Sequence, residues 1–149
     1  MIFVASGDLP QQPIIAIRTK ATGDVTLPPN ETSSDAVAWS SKRGGPYLPT
    51  PLVYGDHLYV CSNSGVFSCY EARTGKRLYR KRVGGDSYSA SPVAADGRIF
   101  LASEPGKVFV IQAGPTFKRL AVCEVGEYCF ATPAIAAKRL FIRTAQRLI

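Results

Sequence analysis

The chain has 149 residues, a length that suits one ordinary domain with a real core. Hydrophobic residues make up 46% of it, which excludes a disordered chain, and no run reaches the ~18 apolar residues of a membrane span. The net charge of +7 suits an anionic partner but bears on association and solubility rather than on fold. Glycine and proline are frequent, so many turns are expected. The stretch "IFVASG" after Met1 is too short for a signal peptide and lacks a basic n-region.

Taken in chain order, the first segment (1–49) reads as a degenerate copy of the repeat that occupies residues 50–149. "IFVAS" (2–6), "PIIAIRT" (13–19) and "AVAWSS" (36–41) read as three strands, with a turn at "ATGDVT" (21–26). Two loop insertions interrupt it, "GDLPQQP" near residue 10 and "LPPNETSSD" (27–35). Asn30-Glu31-Thr32 also fits a glycosylation sequon, a three-residue match that carries little weight.

From residue 50 the pattern becomes strict. "TPLVYGDHLYVCSNSGVF" begins at Thr50, "SPVAADGRIFLASEPGKV" at Ser91 and "TPAIAAKRLFIRTAQRLI" at Thr132. Pro51, Pro92 and Pro133 are thus 41 residues apart, without a gap. The same offset links Leu58, Ile99 and Leu140, then Tyr59, Phe100 and Phe141, and the hydroxyls Ser62, Ser103 and Thr144. Each period reads as four short strands joined by hairpin chemistry. The second and third strands ("LYVC", "VFSCY"; "IFLA", "KVFVI") are apolar at consecutive positions, so both faces are expected to be buried. Radially stacked four-stranded blades meet that need, and a repeat of this length suits a β-propeller. A β-sandwich does not explain a gapless period. The expected boundaries are 1–49, 50–90, 91–131 and 132–149. The expected fold is all-β, an incomplete propeller ring of about 3.5 antiparallel blades, fewer than a closed ring needs.

Within the second period lies "CYEARTGKRLY" (69–79). Its Thr-Gly-Lys is not a phosphate loop. That loop needs Gly-x-x-x-x-Gly-Lys-Ser/Thr running into a helix, and Tyr70 and Arg77 break the pattern. The stretch reads instead as a strand end, a tight turn and the next strand. Gly75 supplies a positive φ, Thr74 and Glu71 can bond turn backbone, and Tyr79 and Trp39 can fill the space between blades. The spacing resembles the repeat of the pyrroloquinoline-quinone-like β-propellers, quinoprotein dehydrogenase-like and BamB-like, which reads Ala-x-Asp-x-x-Thr-Gly-Lys-x-x-Trp. Cys69, Glu71, Thr74, Gly75, Lys76 and Tyr79 occupy those columns, with three substitutions. Ala16, Thr22, Gly23 and Trp39 are the counterparts in the first copy, and Val110, Gln112 and Leu120 those of the third, where the motif has decayed. The last strands, "LFIRT" and "RLI", are similar to the family's C-terminal closing blade.

That resemblance implies two contrasting functions. One is a non-catalytic protein-binding or scaffold module of the bacterial envelope, from a periplasmic or otherwise extracytoplasmic parent, with no cofactor. Its partners would be proteins, the remaining blades, or a second copy of the chain. The other is a fragment of a quinone-dependent dehydrogenase whose catalytic residues lie elsewhere. Such enzymes hold quinone and calcium at the propeller axis with Glu, Asn and Asp, often beside two adjacent cysteines. No adjacent cysteines occur here, and Asp8, Asp56, Asp96 and Glu104 read as turn residues. No catalytic, cofactor or metal residue is assigned.

The remaining features have bland readings. The basic run "ARTGKRLYRKR" could face nucleic acid, but it falls on an outermost strand, where Lys and Arg prevent edge-to-edge pairing. The spacing of the four cysteines matches no zinc module. Cys61 is expected opposite Val66, so Cys61 and Cys69 are not cross-strand partners. Cys123 and Cys129 flank a turn and could bridge it. His57 is expected in a turn with a solvated side chain.

Overall fold

The computed structural model describes residues 1–7 and 11–149, which leaves Asp8 and part of the first insertion outside the described residues. Thirteen strands form four antiparallel sheets, and no helix occurs among the described residues. The first sheet is three-stranded: β1 (Ile2–Ala5), β2 (Ile14–Ile17) and β3 (Val37–Ser41). The second is four-stranded, from β4 (Leu52–Tyr54) through β5 (His57–Cys61) and β6 (Val66–Glu71) to β7 (Arg77–Arg82). The third repeats it with β8 (Val93–Ala95), β9 (Arg98–Ala102), β10 (Lys107–Gln112) and β11 (Arg119–Glu124). The fourth pairs β12 (Ala134–Ala136) with β13 (Arg139–Phe141), and an Arg143–Leu148 bridge adds a fragment of a further strand. Each sheet runs in simple chain order, as propeller blades do. The chain is an all-β arc of blades whose first and last members do not meet.

Turn chemistry sets the hairpins. Asp96 (φ 48°) and Gly97 (φ 71°) form the two-residue β8–β9 turn, the left-handed pair whose twist matches the flanking strands. Between β5 and β6 the loop is longer. Ser62 N–H donates to Val66 O (2.9 Å) and Gly65 N–H to Ser62 O (3.0 Å), with Gly65 left-handed. The Ser62 hydroxyl accepts Val66 N–H at 3.1 Å, and Ser103 does the same for Lys107 one period later. The recurring hydroxyl column is therefore a turn cap.

Side chains of β5 and β6 alternate between two neighbours, as the strand period of two requires. Leu58, Val60 and Tyr70 pack with Ile14, Ala16 and Trp39 of the first blade. Tyr59, Cys61, Phe67, Cys69 and Tyr79 pack with Ile99, Leu101, Phe109 and Ile111 of the third. A smaller cluster of Ala102, Val108, Cys129 and Ile142 joins the third blade to the fourth. The core is thus a stack of inter-blade layers, which explains why both faces of the middle strands are apolar.

Hydrogen bonds across the layers fix the angle between blades. Thr50 N–H donates to Ser91 Oγ (2.9 Å), and Ser91 N–H donates to Thr132 Oγ1 (3.0 Å). The residues that precede Pro51, Pro92 and Pro133 therefore form a ladder of N–H to hydroxyl bonds along the starts of the inner strands. Tyr54 and Tyr59 hydroxyls accept Gly97 N–H (2.9 Å) and Gly114 N–H (2.7 Å) from the next blade.

Three expectations need correction. Cys61 pairs with Phe67 rather than Val66, because the loop keeps Gly65 outside the ladder and Ser62 closes on Val66. Cys123 and Cys129 are both free: Cys123 lies exposed on β11, while Cys129 is turned inward from the loop after β11 against Ala102 and Val108. His57 opens β5 instead of sitting in the turn, half-buried and paired with Tyr54 and Glu71, its ring 5.9 Å from that of Tyr59.

Candidate functional site

The two ends of the arc differ. One carries the short turns between first and second and between third and fourth strands. There the Thr-Gly-Lys corner lies. Gly75 N–H donates to Glu71 O and Glu71 N–H to Lys76 O, both at 2.9 Å. The Thr74 hydroxyl donates to Glu71 Oε2 (2.5 Å) and accepts Lys76 N–H (3.2 Å). The Trp39 ring lies over Gly75, and its Nε1–H donates to Ala72 O at 2.9 Å. Cys69 pairs with Tyr79, as Ala16 pairs with Trp39. The corner is a socket for the preceding blade's aromatic. Burial raises the Cys69 thiol to about 11, against hydrogen bonds from Tyr79 and Tyr59 that lower it. Lys76 is exposed, Pro92 and Pro133 are buried and Pro51 is half-buried.

The opposite end is built from the connectors 42–50, 83–92 and 125–133, which run from an outer strand to the next inner strand. Each of the last two is tied to the turn between second and third strands. Val83 N–H bonds Gly65 O (2.9 Å) and Tyr88 N–H bonds Asn63 O (2.9 Å). Val125 N–H bonds Gly106 O (2.8 Å) and Cys129 N–H bonds Glu104 O (2.9 Å), repeating the arrangement. A carboxylate in each of these connectors clamps the next blade: Asp86 reaches Lys107 (3.8 Å), and Glu127 reaches Arg147 (2.6 Å). Glu127 also accepts the Thr144 hydroxyl (2.5 Å) and Gln146 N–H (3.3 Å). The Thr144 hydrogen bond, with Arg147 assisting, holds the Glu127 carboxyl below its ordinary value of 4.5.

This end also presents large side chains to solvent. Tyr128 and Phe130 are 61% and 59% exposed and stack on each other with ring centroids 6.1 Å apart. Tyr47 and Leu48 of the first connector are 66% and 53% exposed. Sequence reasoning did not single these residues out, although each stands in a connector free of strand periodicity.

Among the described residues the acids do not form the Glu, Asn and Asp donor set that the resemblance to quinone-dependent dehydrogenases implies. Asp56 and Asp96 occupy hairpin turns, and Glu104 accepts the Ser89 hydroxyl. No group of three or more His, Cys, Asp or Glu converges among the described residues. The basic strand β7 lies at the outer edge of its sheet, with Arg80, Lys81 and Arg82 exposed. Among the described residues no helix is long and apolar enough to cross a membrane.

Comparison with known proteins agrees with the blade pattern. The family described as outer membrane protein assembly factor BamB matches residues 23–114. The chain is 30% identical over 103 residues to outer membrane protein assembly factor BamB of Burkholderia pseudomallei (strain K96243). That match covers 68% of this chain and 26% of the relative, so the chain spans about a quarter of the relative's length. The crystal structure of BamB from Moraxella catarrhalis superposes with a TM-score of 0.66 at 16% identity, over 89% of this chain and 37% of that one. A europium-containing methanol dehydrogenase superposes with a TM-score of 0.57 at 14% identity, over 85% of this chain and 23% of that one, a likeness of fold. With its blade repeat, its aromatic-on-glycine corner and a family match over most of its length, the chain belongs to the outer membrane protein assembly factor BamB family of pyrroloquinoline-quinone-like β-propellers.

Proposed function

We propose that the chain is a non-catalytic protein-docking part of an envelope propeller, and that the connector end is the docking face. The reading rests on one observation above the others. Tyr128 and Phe130 are stacked, held in place by the Glu127 clamp, and more than half exposed. Exposed aromatics on a rigid support are costly unless something covers them, and aromatic side chains are enriched where proteins meet. Forty-one residues earlier the columns of Tyr128 and Phe130 hold Ser87 and Ser89, so the aromatic pair belongs to this connector and not to the repeat. The relatives' named role in outer membrane protein assembly supports a protein partner and an extracytoplasmic location. The expected blade boundaries of 1–49, 50–90, 91–131 and 132–149 belong to this reading, with further blades or a second copy completing the ring.

Site-specific photo-crosslinking in cells tests the docking face. A crosslinkable residue at 47, 128 or 130 should trap a discrete envelope protein, whereas one at the exposed hairpin residue Lys138 should not. Tyr128→Ser with Phe130→Ser should abolish the product made from position 47. Failure of all three positions would overturn the proposal. So would a saturable spectral change on adding pyrroloquinoline quinone and calcium, the signature of the dehydrogenase alternative.

A further inference from the structure

Between the first and second blades the repeat is broken at matched positions, and the break leaves a cleft. In the layer between the second and third blades Phe109 packs beneath Tyr88, rings 6.1 Å apart, both almost fully buried. Forty-one residues earlier the same two columns hold Ser68 and Tyr47. Serine cannot fill the phenylalanine's volume, and Tyr47, with no ring to cover, turns out to solvent at 66% exposure. The result is an opening of about 340 Å³ floored by Val60, Ser68 and Tyr70. Its wall is the first connector, where Gly44 lies against the Tyr70 hydroxyl and Gly45 N–H bonds Gln12 O at 2.8 Å.

The charge of this cleft is one-sided. Arg43, Arg77 and Arg80 line it, and among the described residues no lining residue is acidic. Among the described residues the ion pairs are Lys107–Asp86 and Arg147–Glu127, so none of the three guanidiniums has a carboxylate partner. Two of these arginines come from the edge strand β7, yet edge protection requires only outward charge. Arg80 pairs with Ser68 across the ladder, so it stands beside the missing ring. In the third blade the ladder residue across from Phe109 is Val122 rather than an arginine, and Arg119, which pairs as Arg77 does, donates to Val83 O at 3.2 Å. Guanidinium groups meet carboxylates through paired, planar hydrogen bonds that are strong when partly shielded from water.

We infer that this cleft is a carboxylate-binding site, with Arg43, Arg77 and Arg80 supplying charge and Ser68 and the Tyr70 hydroxyl supplying hydrogen bonds. The carboxylate could come from a free dicarboxylic acid or from the acidic side chains of a protein segment, and the chemistry of the cleft is the same for both. Binding has a built-in reporter, since Tyr70 stacks on Trp39, the single tryptophan, at 6.4 Å.

The test is a titration of the chain at constant ionic strength with succinate and, separately, with a capped tetraglutamate peptide. Trp39 fluorescence and the arginine Nε–H resonances are the readouts. Saturable changes are expected with at least one probe. The better probe identifies the source, a free acid if succinate and an acidic segment if the peptide. Arg77→Gln with Arg80→Gln should weaken binding about ten- to a hundredfold. Ser68→Phe keeps every arginine but restores the repeat's ring, so it should block binding while the thermal transition holds or rises. Loss of binding in both variants, with native circular dichroism, would support the site. Undiminished binding in Ser68→Phe would overturn it, as would wild-type changes that sodium chloride reproduces or no response to either probe.

Discussion

Gly75 carries two constraints at once. Its φ of 72° lies in the left-handed region, and an added Cβ would come 2.5 Å from Trp39 Cδ2. The first costs alanine about 1 kcal/mol, and the clash adds about 1–3 kcal/mol because the indole is pinned by its bond to Ala72 O. Gly75→Ala should therefore lower unfolding stability by about 2–4 kcal/mol in urea titrations. In a Trp39→Ala background the same change should cost only the φ part, about 1 kcal/mol, so the two effects are non-additive. Equal costs in both backgrounds would remove the ring from the account. Thiols give a second residue-scale check. Burial pushes the Cys61 thiol up to about 12, Cys69 to about 11, and Cys129 upward as well, whereas Cys123 is exposed. A disulfide-exchange reagent at pH 8 should label Cys123 alone in the folded chain and all four cysteines once it is denatured. Rapid native labelling at two or more sites would contradict this packing.

At the scale of elements, the connector clamps couple one blade to the next through charge. Glu127 is the stronger case, since its carboxyl is held below 4.5 by the Thr144 hydroxyl and then by Arg147. A carboxyl depressed on folding contributes stability above its unfolded value and loses it as pH falls through the folded value. Glu127→Gln should thus lower the melting temperature at pH 7, and the difference should shrink as pH falls below 4.5 and close once the folded carboxyl is itself protonated. A gap that persists unchanged at pH 3 would mean that packing, rather than charge, holds this joint. These elements were largely legible in the sequence. The period of 41 located the first three strands of the second and third blades, because alternation and hairpin residues recur together, while β11 follows β7 at 42. What escaped was fixed by three-dimensional partners. The Cys61–Phe67 register depends on a loop that closes at Ser62 rather than at Cys61. The arginine cleft depends on Ser68 and Tyr47 differing from their period-mates together. That signal was present in the columns, but it gains meaning only when the two residues are known to face each other.

At the scale of the whole molecule, the first blade has a face with no neighbour among the described residues. Strand register places Phe3 where Tyr59 stands in the second blade, and hence Ile2 and Val4 where Leu58 and Val60 stand. Leu58 and Val60 are buried to 0% and 2% exposure by the blade before them. Ile2 and Val4 have the same apolar character, yet remain 54% and 47% exposed. Covering such a side chain stabilises by about 1.5–3 kcal/mol, so this face favours association with any surface of matching shape. The arc on its own should therefore bind a hydrophobic dye and gain mass with concentration in light scattering. Ile2→Lys with Val4→Lys should suppress both signals without lowering the melting temperature, because neither side chain supports the layer beneath. A wild-type chain that stays monomeric and dye-free across concentration would show that the face is already covered in solution, and that its exposure in the arc is not what drives assembly of the ring.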